Sequence, residues 1–267
     1  MSKITYDQGT IHYQEKGTGE PLVFIHGVGL DHAMWEQQVN RLSEQYRVIV
    51  YDMIGHGGSS HPPGPYSLSQ YVEQLASLVD GLRLEKIHLV GFSMGGMVAQ
   101  GFALTHPEKM KTLTIMNAVA NRTEMQRQAI LARVEEVRTN GPQSTIEPAI
   151  QRWFTSDYLE GQGEVVNGIR TRLQTNNPAS YIAAYTLFAT ADQELWDKLD
   201  RITVPTLVIT GEEDVGSTPE MAQQIHEKIT DSELLIVPAM RHMLPVERPD
   251  IVNEAIHSFI ERTVFVR

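Results

Sequence analysis

The sequence predicts an α/β fold: a mostly parallel central sheet with flanking helices, interrupted by a small, mostly helical insertion. Three observations carry this. Short, nearly continuous apolar runs recur at 22–25, 47–51, 87–90, 112–116, 206–210 and 234–237, as in strands covered on both faces. Helix-like segments separate most of them, which is what crossovers between parallel strands require. From about 121 to 197 that rhythm stops, with no apolar strand run and four helix-like segments.

The elements follow in order. Thr5–Thr10 and Ile11–Gln14 alternate polar and apolar residues, predicting an antiparallel hairpin at the sheet edge. Leu22–Ile25 is the next strand, then a helix over Ala33–Ser43, a strand over Arg47–Tyr51 and a helix from Ser69 that Gly81 stops. Ile87–Val90 is a buried strand, and Ser93–Thr105 a helix with Met97, Val98, Phe102 and Leu104 at helical spacing, stopped by Pro107. After the strand Thr112–Met116 come the helices Glu124–Arg138, Ser144–Trp153, Glu164–Gln174 and Pro178–Phe188. The insertion, 121–197, is expected to lie as a cap over a core made of 1–120 and 198–267. The core resumes with the strand Thr206–Thr210, the helix Pro219–Ile229, the strand Leu234–Val237 and the helix Pro249–Glu261.

Composition narrows the function. At 267 residues the chain can build one large core. A net charge of -11, with no cluster of Lys or Arg, argues against nucleic acid and against anionic membranes as partners. There are no cysteines, which rules out disulfides, thiol catalysis and thiolate metal sites. Residues Met1–Asp7 lack the apolar core of a signal peptide and no run reaches membrane-spanning length. A cytoplasmic protein is expected, as either a monomer or a homo-oligomer.

Ligands of open α/β sheets bind beyond the carboxyl ends of the strands, so the residues following each strand matter most. After 22–25 comes His26-Gly27-Val28-Gly29, and after 47–51 comes Asp52, leading to Gly55-His56-Gly57-Gly58-Ser59. After the third run comes Gly91-Phe92-Ser93-Met94-Gly95, a serine at a sharp strand-to-helix turn whose helix N-terminus favours negative charge. After 206–210 comes Gly211-Glu212-Glu213-Asp214, and after 234–237 the loop reaches His242. A nucleophile, an acid and a base thus share one side of the sheet in the order Ser, Asp, His.

These motifs together make the chain resemble the α/β-hydrolase family over essentially its whole length. Arg152-Trp153-Phe154, the small helical cap and Gly211-Glu212-Glu213-Asp214 look like 3-oxoadipate enol-lactonases and their carboxylesterase relatives. The resemblance implies a serine hydrolase of a small carboxylic ester or lactone, with Ser93 as nucleophile, His242 as base and Asp214 orienting the imidazole. It implies an oxyanion hole made by the backbone N–H groups of Val28 and Met94, and needs no metal or organic cofactor. An enol-lactone such as 3-oxoadipate enol-lactone is one candidate substrate. Relatives with the same core cleave carbon–carbon bonds of ring-fission products, and a ligand-binding receptor with little turnover is the alternative of a different class.

Trp35, Arg152 and Trp153 are expected to line the substrate pocket, with Trp196, Arg170, Arg172, Met94, Met97 and Met243 as further candidates. Core packing competes for each tryptophan and for Met97, and a solvated helix face for each arginine. His26 and His56 are read as loop supports. The remaining histidines lack metal-ligand spacing.

Overall fold

The computed structural model describes residues 2–265. Eight strands, β1 (Ser2–Tyr6), β2 (Gly9–Lys16), β3 (Glu20–Ile25), β4 (Tyr46–Tyr51), β5 (Ile87–Phe92), β6 (Met110–Met116), β7 (Thr206–Gly211) and β8 (Ser232–Val237), form one sheet in the order β1-β2-β4-β3-β5-β6-β7-β8. The pairs β1–β2 and β2–β4 are antiparallel and all others parallel. The N-terminal hairpin stands at the edge as expected, but its turn is at Asp7–Gln8, ahead of the expected break after Thr10. Tyr6 pairs with Gly9, whose φ of 130° closes the turn at a conformation open to glycine.

Side chains alternate along the strands to fill two cores. Val23, Ile25, Ile49, Tyr51 and Leu89 enter the core shared with α2 (Leu68–Gly81) and α3 (Met94–Thr105). Leu22, Phe24, Val48, Val50 and Val90 enter the opposite core, shared with α1 (Glu36–Leu42) and α12 (Pro249–Phe265). Each fully buried Leu, Ile, Val or Phe contributes about 1.5–3 kcal/mol of transfer free energy, so the sheet rests on both faces.

Between β6 and β7 the described residues contain helices and no strand: α4 (Glu124–Asn140), α5 (Ile146–Trp153), α6 (Ser156–Gly161), α7 (Gly163–Gln174), α8 (Pro178–Thr190) and α9 (Asp192–Trp196). This segment, called the cap below, has no separate core among those residues. Its α4 and α8 send Ile130, Val134, Ala184 and Leu187 into the first core, while α5 and α7 send Ile150, Ile169 and Leu173 into the second. Its two ends are joined by a buried ion pair: Arg122 donates its backbone N–H and Nη1 to Asp192 at 3.0 and 3.1 Å. The remaining helices, α10 (Pro219–Lys228) and α11 (Leu244–Glu247), follow β7 and β8. Among the described residues no helix is long and apolar enough to cross a membrane.

Candidate active site

Ser93 joins β5 to α3 with φ 54° and ψ −118°, a backbone region that costs a non-glycine residue on the order of 1–3 kcal/mol. The turn is tight enough that a Cβ at Gly91 would fall on the Gly95 carbonyl, and one at Gly95 would lie 2.5 Å from the carbonyl oxygens of Ile25 and His26. The strained residue is held from both sides: its N–H donates to Met116 O at 2.8 Å and its carbonyl accepts the Gly96 N–H at 2.9 Å.

Asp214 stands on the loop after β7 and His242 on the loop after β8. His242 Nδ1 donates to Asp214 Oδ2 at 2.7 Å. Asp214 Oδ1 accepts the N–H groups of Gly216 and Ser217, each at 2.9 Å, and Oδ2 also accepts Asn117 Nδ2 at 2.9 Å. Burial works to raise the Asp214 pKa, but attraction to His242 and the hydrogen bonds from His242, Ser217 and Asn117 outweigh it and hold the value below the ordinary one. An ionised carboxylate at Nδ1 leaves Nε2 of a neutral imidazole as the acceptor. The His242 ring packs between Phe92, centroids 4.9 Å apart, and Trp153, 5.9 Å apart. The neighbouring acids are engaged elsewhere, Glu212 by the Ala239 N–H and Glu213 by Arg241.

Val28 and Met94 flank the serine. Among the described residues neither backbone N–H has a protein acceptor. The peptide that carries the Val28 N–H also carries the Gly27 carbonyl, which accepts His26 Nδ1 at 2.7 Å. His26 Nε2 in turn accepts the Met53 N–H at 3.0 Å. His56 pins the next residue, its Nε2 accepting the Gly29 N–H at 3.0 Å while Nδ1 donates to Ile54 O. Burial pushes both imidazoles below the ordinary pKa, as suits neutral rings that each accept an N–H. The loop-support reading of His26 and His56 accords with these bonds.

Ser93, Asp214, His242 and Val28 line one cavity of about 80 Å³ together with Arg152 and Trp153 of α5. Two of the expected pocket residues are therefore brought to the serine. Trp35 is not, and that expectation is corrected: it is fully buried, 4.9 Å from Phe24 and 6.2 Å from Phe92 between ring centroids, and supports Phe92 from behind. Met97 and Met243 are buried outside the cavity. Arg170 pairs with Glu147, Arg172 with Asp31 at 3.2 Å, and Trp196 lies under Lys228.

Two further residues stand at the site without a signal in the sequence. Asn117 follows β6, a strand end that offers no acid, base or nucleophile. Arg133, on the cavity wall beside Tyr181, Tyr185 and Phe188, reads in sequence as one charge on a solvated helix. Neither Arg133 nor Arg152 pairs with a carboxylate among the described residues; Arg152 donates only to Pro148 O. Burial, then the nearby Arg133 charge, lowers the Arg152 pKa, so the cavity presents unneutralised positive charge.

His12, His32 and Asp52 form a separate cluster whose ligand-type atoms lie within 4.8 Å of one another. Both imidazoles donate Nδ1–H to Asp52, at 2.7 and 2.8 Å, and each Asp52 oxygen also accepts a backbone N–H, from Gly58 and from His32. The cluster is a closed hydrogen-bond network, and its carboxylate serves His12 and His32, leaving His242 to Asp214.

Comparison with known proteins identifies the fold family. The family profile described as the alpha/beta hydrolase fold matches residues 20–249. An (E)-2-((N-methylformamido)methylene)succinate hydrolase of Acinetobacter baylyi is 34% identical over 254 residues, covering 95% of each chain. A 3-oxoadipate enol-lactonase of the same organism is 33% identical over 97% of this chain and 96% of its own. The crystal structure of the enol-lactonase from Burkholderia xenovorans LB400 superposes with a TM-score of 0.92 at 27% identity, covering 97% of this chain and all of that one. These relatives are hydrolases, and the chain belongs to the α/β-hydrolase fold family.

Proposed function

We propose that the protein is a serine hydrolase that cleaves a small ester or lactone bearing a free carboxylate, through an acyl-enzyme on Ser93. The observation that carries the reading is the hydrogen bond from His242 to buried Asp214 on the same small cavity as the strained Ser93. In this scheme His242 Nε2 takes the Ser93 proton as Oγ attacks the carbonyl carbon. The resulting oxyanion lies against the free N–H groups of Val28 and Met94. Collapse breaks the acyl–oxygen bond, and His242 returns the proton to the leaving oxygen. In a lactone the leaving oxygen remains tethered, so ring opening releases nothing until water, deprotonated by His242, attacks the acyl-enzyme and frees Ser93.

Residues 1–120 and 198–267 serve in this reading as the catalytic core and 121–197 as the cap that chooses the substrate. The cavity is small, which suits a short acyl group, and Arg133 and Arg152 suit an anionic one. The two Acinetobacter relatives are named for a succinate and an oxoadipate, both carboxylate-bearing, in keeping with that charge. The absence of cysteine from the sequence fits a location in the cytoplasm.

The test is turnover of p-nitrophenyl acetate by the purified protein and by Ser93→Ala. The variant should lose about 10⁴–10⁶ in kcat, as loss of a nucleophile does. Near-full activity in a folded variant would end the assignment, and at most one product per site in the wild type would favour a receptor.

A further inference from the structure

We infer that Arg241 is a positioning residue that makes the C-terminal end of cap helix α5 part of the mount of His242. The inference rests on the hydrolase reading above and adds a second task for the cap. Helices end with carbonyls that have no intrahelical partner. In α5 those carbonyls are capped by the histidine loop: Arg241 Nη1 donates to Gln151 O at 3.1 Å and to Phe154 O at 2.9 Å. The Met243 N–H donates to Trp153 O at 2.9 Å. These two residues bracket His242, so the imidazole hangs from a short segment tied at both ends to the helix that carries Arg152 and Trp153.

Three further contacts extend the strap. Glu247 accepts the Thr155 N–H at 3.0 Å and the Thr155 hydroxyl at 2.5 Å, and the Trp153 ring lies against His242. On the other side Arg241 Nε sits 3.7 Å from Glu213, the residue before Asp214. That ion pair is half-exposed and long, hence weak. The carbonyls are the stronger partners, because a guanidinium at a helix C-terminus completes the last turn and meets the negative end of its dipole.

Cap and histidine loop therefore cannot part without leaving α5 carbonyls and the Met243 N–H unbonded, a cost incurred whether substrate is bound or not. Substrate contacts made by Arg152 and Trp153 and the placement of His242 belong to one rigid piece. Loosening it should appear in the chemical step.

The experiment is steady-state hydrolysis of p-nitrophenyl acetate by Arg241→Met and Arg241→Lys, with the rate of Ser93 labelling by a fluorophosphonate. We expect Arg241→Met to lower kcat and labelling rate about tenfold with KM within about twofold, the pattern of an interaction felt in the chemical step. Arg241→Lys, which keeps a cation in reach of the carbonyls, should recover most of the loss. A lower melting temperature with unchanged kcat, or an effect confined to KM, would overturn the inference. If Arg241→Met does not fold, Thr155→Val reports the same strap through Glu247, and unchanged kcat there is equally fatal. Wild-type protein that neither turns over ester nor labels at Ser93 would sink the hydrolase reading itself, a result distinct from normal turnover in both variants.

Discussion

Asn117 and His242 donate to the same oxygen of Asp214, Oδ2, at 2.9 and 2.7 Å. Asn117 is fully buried at φ 47°, a left-handed conformation that asparagine tolerates better than most residues. Its own N–H donates to Ile209 O at 2.8 Å, so β7 fixes the side chain that fixes the acid. With Oδ1 held by two loop N–H groups, Asn117 completes a cradle that allows the carboxylate one orientation, toward the imidazole. Asn117→Ala should lower kcat on p-nitrophenyl acetate by about tenfold with little change in KM, in the range of one hydrogen bond to a charged group. Wild-type kcat in the folded variant would mean that the two loop N–H groups orient Asp214 unaided.

The buried imidazoles give stability a defined pH dependence. His26 and His56 have folded-state pKa values below the ordinary 6.5, chiefly from burial. The unfolded chain binds protons that the folded chain refuses, so their contribution is complete above about pH 6.5 and declines below it, by about 1.4 kcal/mol per pH unit per proton. His32 acts in the opposite sense. Its hydrogen bond to Asp52 raises its pKa, a contribution complete below 6.5 and lost as the pH rises through the raised value. Melting curves between pH 5 and 8 should therefore show a shallower acid decline in His56→Gln than in wild type, whereas His32→Gln should lie below wild type at pH 5–6.5 and close on it as the pH rises through the raised value. Parallel profiles in all three proteins would locate the acid sensitivity elsewhere.

The glycines around Ser93 divide sharply from those within cap helices α6 and α7. A Cβ at Gly95 would lie 2.5 Å from two backbone oxygens, while nothing lies within 4 Å of one at Gly168 in α7. Backbone atoms of two elements cannot yield as a side-chain tip can. Gly95→Ala should cost about 3 kcal/mol or more, whereas Gly168→Ala should stabilise by about 0.5–1 kcal/mol by removing a mid-helix glycine. Urea denaturation checks both, and equal effects would contradict the packing described around the serine.

The same contrast explains what the sequence discloses. Ser93 is legible because its signal is local: an apolar strand, glycines and a helix within a dozen residues. The strands of the parallel sheet are legible because burial on both faces leaves unbroken apolar runs. Asp214 and His242 follow from strand ends, given the rule about where ligands bind. Asn117 occupies a strand end too, yet an amide offers no chemistry of its own, and only the approach of β6 to the acid loop gives it a role. Trp35 misleads because an aromatic near a motif reads alike whether it faces the cavity or lies behind Phe92. The hairpin turn closes at a single glycine, Gly9, and alternation alone puts the break three residues late.

Arg133 and Arg152 supply the last expectation. Two guanidiniums line one small cavity and pair with no carboxylate among the described residues, and burial already lowers the Arg152 pKa. Like charges held together in a partly dry site favour an anionic guest, which relieves both the repulsion and the desolvation. A carboxylate-bearing lactone should therefore outperform its neutral ester analogue. Arg133→Met and Arg152→Met should each lower kcat/KM for the carboxylate substrate by about 10–100-fold, the worth of a charged hydrogen bond, and change the neutral ester little. Higher kcat/KM on neutral short-chain esters in the wild type, or equal losses on both substrates in the variants, would assign these arginines to cap packing and leave a general carboxylesterase.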